Sequence, residues 1–158
     1  MQMSNCKKAQ HISQCLQLAI MLEVSSQKPG NVSFTSSFER TRVEHFLASS
    51  VAAGPIFQEA AYLGASVAEN RLEVAKVGLG KLIKDCATDV DSWQNGGNTI
   101  LGTVMLFVPI AVASGMTPTK EDHIFDFSFS IVASCNALFS SMLRFLVWRS
   151  SVSFSVGW

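Results

Sequence analysis

Apolar residues in this chain recur at intervals of three and four, and almost nowhere at intervals of two. An α-helix returns to one face every 3.6 residues and a strand every two, so the pattern restricts the chain to helices that each bury a stripe. In residues 4–26, Ile12, Cys15, Leu16, Ala19 and Leu22 share a face. Residues 41–63 place Val43, Phe46, Leu47, Val51 and Gly54 together, and the small residues Ala48, Ser49, Ser50, Ala52 and Ala53 allow a neighbouring helix to come close. Pro55 is expected to kink this helix or to begin a new one. Residues 66–90 set Leu72, Ala75, Leu79, Leu82, Ile83, Cys86 and Val90 in a single stripe. Gly78 and Gly80 are its weak point, at about 1 kcal/mol each relative to alanine. Residues 125–131 are the one short stretch that alternates at period two. The predicted fold class is all-α, a single helical bundle.

Composition narrows the function. A chain of 158 residues with 48% hydrophobic and 15% charged residues fits one domain and can bury a core. Twelve basic and twelve acidic residues cancel, so no global field draws it to nucleic acid or to an anionic membrane, and any anion site must be local. Cys6, Cys15, Cys86 and Cys135 form no C-x-x-C pair, and they and His11, His45 and His123 lack the spacing of metal ligands, so reduced structural thiols are expected. The first residues lack the apolar core of a signal peptide, and the cytoplasm is the expected location. Residues 100–115 are largely apolar, but a spanning helix needs about 20 such residues, and this run follows Asn95, Gly96, Gly97 and Asn98 and contains Pro109. A buried core helix is expected rather than a membrane span.

Two polar turns interrupt the apolar helices. In Lys28, Pro29, Gly30 and Asn31, proline presets φ at the first central position of a type II turn and glycine accepts the positive φ of the second. Lys28 and Asn31 can then reach one ligand beside open turn amides, although a plain helix-ending turn has the same pattern. Gly96, Gly97, Asn98 and Thr99 precede the apolar helix, which Asn98 or Thr99 can cap. Its first-turn amides, Gly102 included, lack intrahelical acceptors and carry the positive end of the helix dipole, which suits a phosphate. Glu23 falls within about 40° of Ile12, Leu16 and Ala19 around the first helix, so its carboxylate points inward. It either pairs with a neighbouring helix or serves as an active-site acid or metal ligand. Glu44 borders the apolar face of its helix, and His45 lies opposite, as a solvated surface histidine would.

Taken in order, Lys28 to Val32, then Phe38, Glu39, Thr41, Arg42 and Glu44 to Ser49, then Asn98, Thr99, Leu101, Gly102 and Pro109, resemble the triphosphoribosyl-dephospho-CoA synthase family. The resemblance implies a transferase that joins ATP to 3′-dephospho-CoA and releases adenine, in the making of an acyl-carrier prosthetic group. On this reading Lys28, Gly30, Asn31, Asn98, Thr99 and Gly102 are the candidate nucleotide ligands, Glu23 and Glu44 the candidate catalytic carboxylates, and Mg²⁺ is expected to accompany ATP; oligomerisation stays open. Two departures stand out. Where the family carries a His-Asp pair the chain has Ser36 and Ser37, whose hydroxyls cannot supply a carboxylate's charge, and Glu39 is the nearest acid. Beyond about Gly115 the motifs stop, so residues 1–118 are read as the family-like domain and 119–158 as a divergent or frame-shifted tail. A truncated, inactive version of a larger helical enzyme is one expectation; a non-catalytic nucleotide-binding or interaction module is the alternative.

Overall fold

The computed structural model describes residues 4–27, 32–38 and 40–118. Four α-helices follow in order, α1 Asn5–Ser25, α2 Val43–Ala68, α3 Leu79–Trp93 and α4 Leu101–Met116, with a single 3₁₀ turn at Val74–Lys76. No strand is present among the described residues beyond one isolated bridge between Ser33 and Ser36. The all-helical fold class is therefore observed. Residues 119–158, including the alternating stretch at 125–131, lie outside the described residues.

Helix α1 buries the predicted stripe, with Ile12, Leu16, Ala19 and Val24 almost wholly enclosed, whereas Leu22 remains 44% exposed. At the end of the helix the hydroxyls of Ser25 and Ser26 bond the carbonyls of Met21 and Leu22, and the Ser26 N–H turns back to the Glu23 carbonyl at 3.2 Å, which tightens the last turn.

Helix α2 is the hub, packing on α1, α3 and α4. It runs through Pro55 to Ala68, so a new helix beginning at Pro55 and an end near residue 63 are both corrected. The physical reason is local. Proline deprives only the carbonyl four residues earlier of its donor, and Val51 lies on the exposed side, where solvent can satisfy that group. Pro109 in α4 uses the same arrangement, since Met105 is 56% exposed.

The α2–α4 contact depends on residues without side-chain bulk. A Cβ added to Gly64 would lie 2.0 Å from the Val112 carbonyl oxygen, and one added to Gly115 would lie 2.0 Å from that of Ala61. Only glycine at these positions lets the two backbones touch. Beside them Phe57 and Phe107 pack with ring centroids 6.0 Å apart at 53°, each buried ring contributing about 1.5–3 kcal/mol. α4 is thus a core helix, as expected, and no helix of the described residues is long and apolar enough to cross a membrane.

The predicted helix over 66–90 is corrected to two elements. α2 closes with Asn70 in the left-handed conformation, Asn70 N–H donating to Val67 and Arg71 N–H to Ser66, the paired bonds of a Schellman ending. α3 starts after Gly78 at φ 71°, and buries Leu82, Cys86 and Val90 while Leu79 stays outside. At the opposite end of the core, buried Lys8 donates its Nζ to the Gly115 carbonyl at 2.6 Å and to that of Thr117, so a cation from α1 caps the negative end of α4. Burial lowers the Lys8 pKa, and Glu69 opposes that shift.

Candidate active site

The C-terminal end of α1 and the N-terminal ends of α2 and α4 meet at one end of the bundle. Glu23, in the last turns of α1, is 4% exposed, so its carboxylate points inward as helix geometry predicts. With Ala19, Ile20, Phe46, Ile100, Thr103 and Phe107 it lines a cavity of about 10 Å³, on the order of the room one water needs. Burial and the negative end of the α1 dipole both disfavour charge on a carboxylate here, and Glu23 has an interaction of its own at this position.

A set of polar contacts ties α2 to the loop before α4. The Arg42 N–H donates to His45 Nδ1 at 3.1 Å, and the His45 N–H returns to the Arg42 carbonyl at 3.1 Å, closing the first turn of α2. Gly96 lies against that imidazole, since a Cβ added there would sit 2.3 Å from Nδ1. Thr41 Oγ1 donates to the Gly96 carbonyl at 2.9 Å. Ser49 Oγ donates to the His45 carbonyl at 2.6 Å, which leaves the Thr99 hydroxyl to donate to Ser49 Oγ at 2.7 Å. His45 is therefore half-buried and structural, rather than the solvated surface residue expected. Buried Gln94 bonds the Gly96 N–H and the Gly97 carbonyl through opposite ends of its amide, which fixes the turn in which Gly97 takes φ 74°.

Asn98 Oδ1 accepts the Leu101 N–H at 3.1 Å and so takes up the first amide of α4, but the N-cap position falls to Ile100 rather than to Asn98 or Thr99 as expected. Together with Gly97 and Thr99, Asn98 borders a cleft of about 440 Å³ between α3 and α4, within the usual range for a small-molecule site. The α3 side supplies Lys84, Thr88 and Asp91, which had no signal in the sequence beyond a charged face. Ile100 stands in the wall of both this cleft and the Glu23 cavity.

The structure thus gathers Glu23, Asn98 and Thr99 at one end. Gly102 is exposed on the first turn of α4. Glu44 is exposed in the first turn of α2 and lines neither the cavity nor the cleft. Lys28, Gly30, Asn31 and Glu39 lie outside the described residues. Ser36 and Ser37 are exposed, with Ser36 bridged to Ser33 through reciprocal backbone bonds. Among the described residues, no three His, Cys, Asp or Glu side chains gather to hold a metal ion.

The fold and site define the class only as an all-helical bundle with a buried carboxylate beside a helix N-terminus and a ligand-sized cleft. The particular family follows from the sequence profile described as CitG: ATP:dephospho-CoA triphosphoribosyl transferase, which matches residues 9–141. The chain belongs to that family, and a transferase kind of function comes with it. No match was found among curated proteins or among solved structures.

Proposed function

We propose that this chain transfers the triphosphoribosyl group of ATP to dephospho-CoA and releases adenine. The family match across residues 9–141 carries the reading. In the proposed step the anomeric carbon of the ATP ribose loses its bond to the adenine nitrogen and gains one to a hydroxyl oxygen of the acceptor. The hydroxyl proton leaves with adenine, so atoms and charge balance without any oxidant or reductant. Positive charge develops on the ribose as the adenine bond stretches, and Glu23, screened from water at the end of α1, is placed to offset it. Lys28, Gly30 and Asn31 are the triphosphate ligands in this reading, with Mg²⁺ entering as part of the nucleotide substrate. Asn98, Thr99 and Gly102 bring the N-terminus of α4 to a second phosphate, and Glu44 is a rim carboxylate.

A second reading, a nucleotide-binding module without turnover, draws on Ser36 and Ser37 standing where the family carries a His-Asp pair. Mass spectrometry after incubation with ATP, Mg²⁺ and dephospho-CoA separates the two. Free adenine and a triphosphoribosyl adduct, formed only when both nucleotides are present, are expected. ATP binding without adenine release would favour the module.

A further inference from the structure

We infer that the α3–α4 cleft is the seat of the acceptor, dephospho-CoA, with Lys84 holding its diphosphate; this rests on the transferase reading above. On α3, Lys84, Thr88 and Asp91 stand at i, i+4 and i+7, so one helical face presents an ammonium, a hydroxyl and a carboxylate along the cleft. Lys76 and Lys81 on the preceding turns pair with Glu73 and Asp85. Lys84 forms no ion pair among the described residues, so its charge stays available to a ligand. Across the cleft, Asn98 and the first turn of α4 bring the positive end of a helix dipole towards the same space.

The remaining lining discriminates between the two nucleotides. Ala87, Val90, Leu101 and Val104 form an apolar strip behind the polar rim. Dephospho-CoA is a diphosphate with a long, uncharged pantetheine arm, and it matches one lysine plus an apolar strip. The triphosphate of ATP is more heavily charged and would have to sit beside Asp91 with less compensation. Ile100 stands in the wall of both, so the cleft ends beside the buried Glu23.

The test measures binding of ATP and of dephospho-CoA separately, by calorimetry, on the full chain and on two variants. Lys84→Gln removes the charge at an exposed position, and Ala87→Phe fills the strip; circular dichroism verifies that each keeps its helices. Each variant is expected to weaken dephospho-CoA at least about tenfold, while ATP affinity stays within about twofold. Unchanged dephospho-CoA affinity in folded variants, or a selective loss of ATP, would overturn the assignment. A wild-type chain that binds ATP but not dephospho-CoA also overturns it. One that binds neither nucleotide overturns the transferase reading itself.

Discussion

At the residue scale, the inward direction of Glu23 was legible because it needs only the angular geometry of one helix, and the structure places it at 4% exposure. That Asn98 would serve the first turn of α4 was legible for the same reason, although the N-cap itself is Ile100. His45 was not legible. Its neighbours Arg42 and Gly96 come from the start of its helix and from a loop about fifty residues away, and helical periodicity says nothing about such pairings. Cys86 offers a test at this scale. Burial, with Asp89 adding to it, pushes the thiol from its ordinary value near 9 up to about 12. Below pH 9 the thiol is protonated whether the chain is folded or not. Between about 9 and about 12 the unfolded chain gives up the proton while the folded one keeps it, so stability falls as pH rises, by up to about 1.4 kcal/mol per unit. Urea unfolding from pH 8 to 10.5 is expected to show this extra slope in wild type and its loss in Cys86→Ala; parallel profiles would refute the assignment.

At the element scale, both ends of α1 were readable, whereas the end of α2 and the start of α3 were not. Pro55 reads as a break, but a proline whose orphaned carbonyl faces outward leaves the rest of the hydrogen-bond ladder intact. The stripe across residues 66–90 reads as one helix because the turn at Asn70 and Gly78 leaves several apolar positions in step. Two glycines flanking the start of α3 predict opposite signs. Gly78, at φ 71°, cannot accept a Cβ without strain, so Gly78→Ala should destabilise by about 1–2 kcal/mol. Gly80 is helical and exposed with open space around it, so Gly80→Ala should stabilise by up to about 1 kcal/mol. Chemical denaturation measures both, and equal effects at the two positions would contradict the boundary drawn at Gly78.

At the scale of the whole molecule, the family was legible in the sequence because its motifs are short, ordered and local, while the cleft was not, because its α3 side carries no motif at all. Lys84, Thr88 and Asp91 acquire meaning only when α3 is laid beside α4. The packing that achieves this is set by α2, whose small residues let α4 approach at Gly64 and Gly115 and so fix the N-terminus of α4 near the end of α1. That convergence is the basis for placing the chemistry beside Glu23.

The most direct measurement is steady-state adenine release by wild type and Glu23→Gln, with the melting temperature followed on the same samples. Glutamine keeps the size and polarity of the side chain and removes its charge. A carboxylate that offsets transition-state charge predicts a kcat lower by about 10²-fold or more with KM for ATP little changed, in a variant whose melting curve shows a folded bundle. Equal kcat values in wild type and variant would show that the buried carboxylate only holds the bundle together and that the chemistry lies elsewhere.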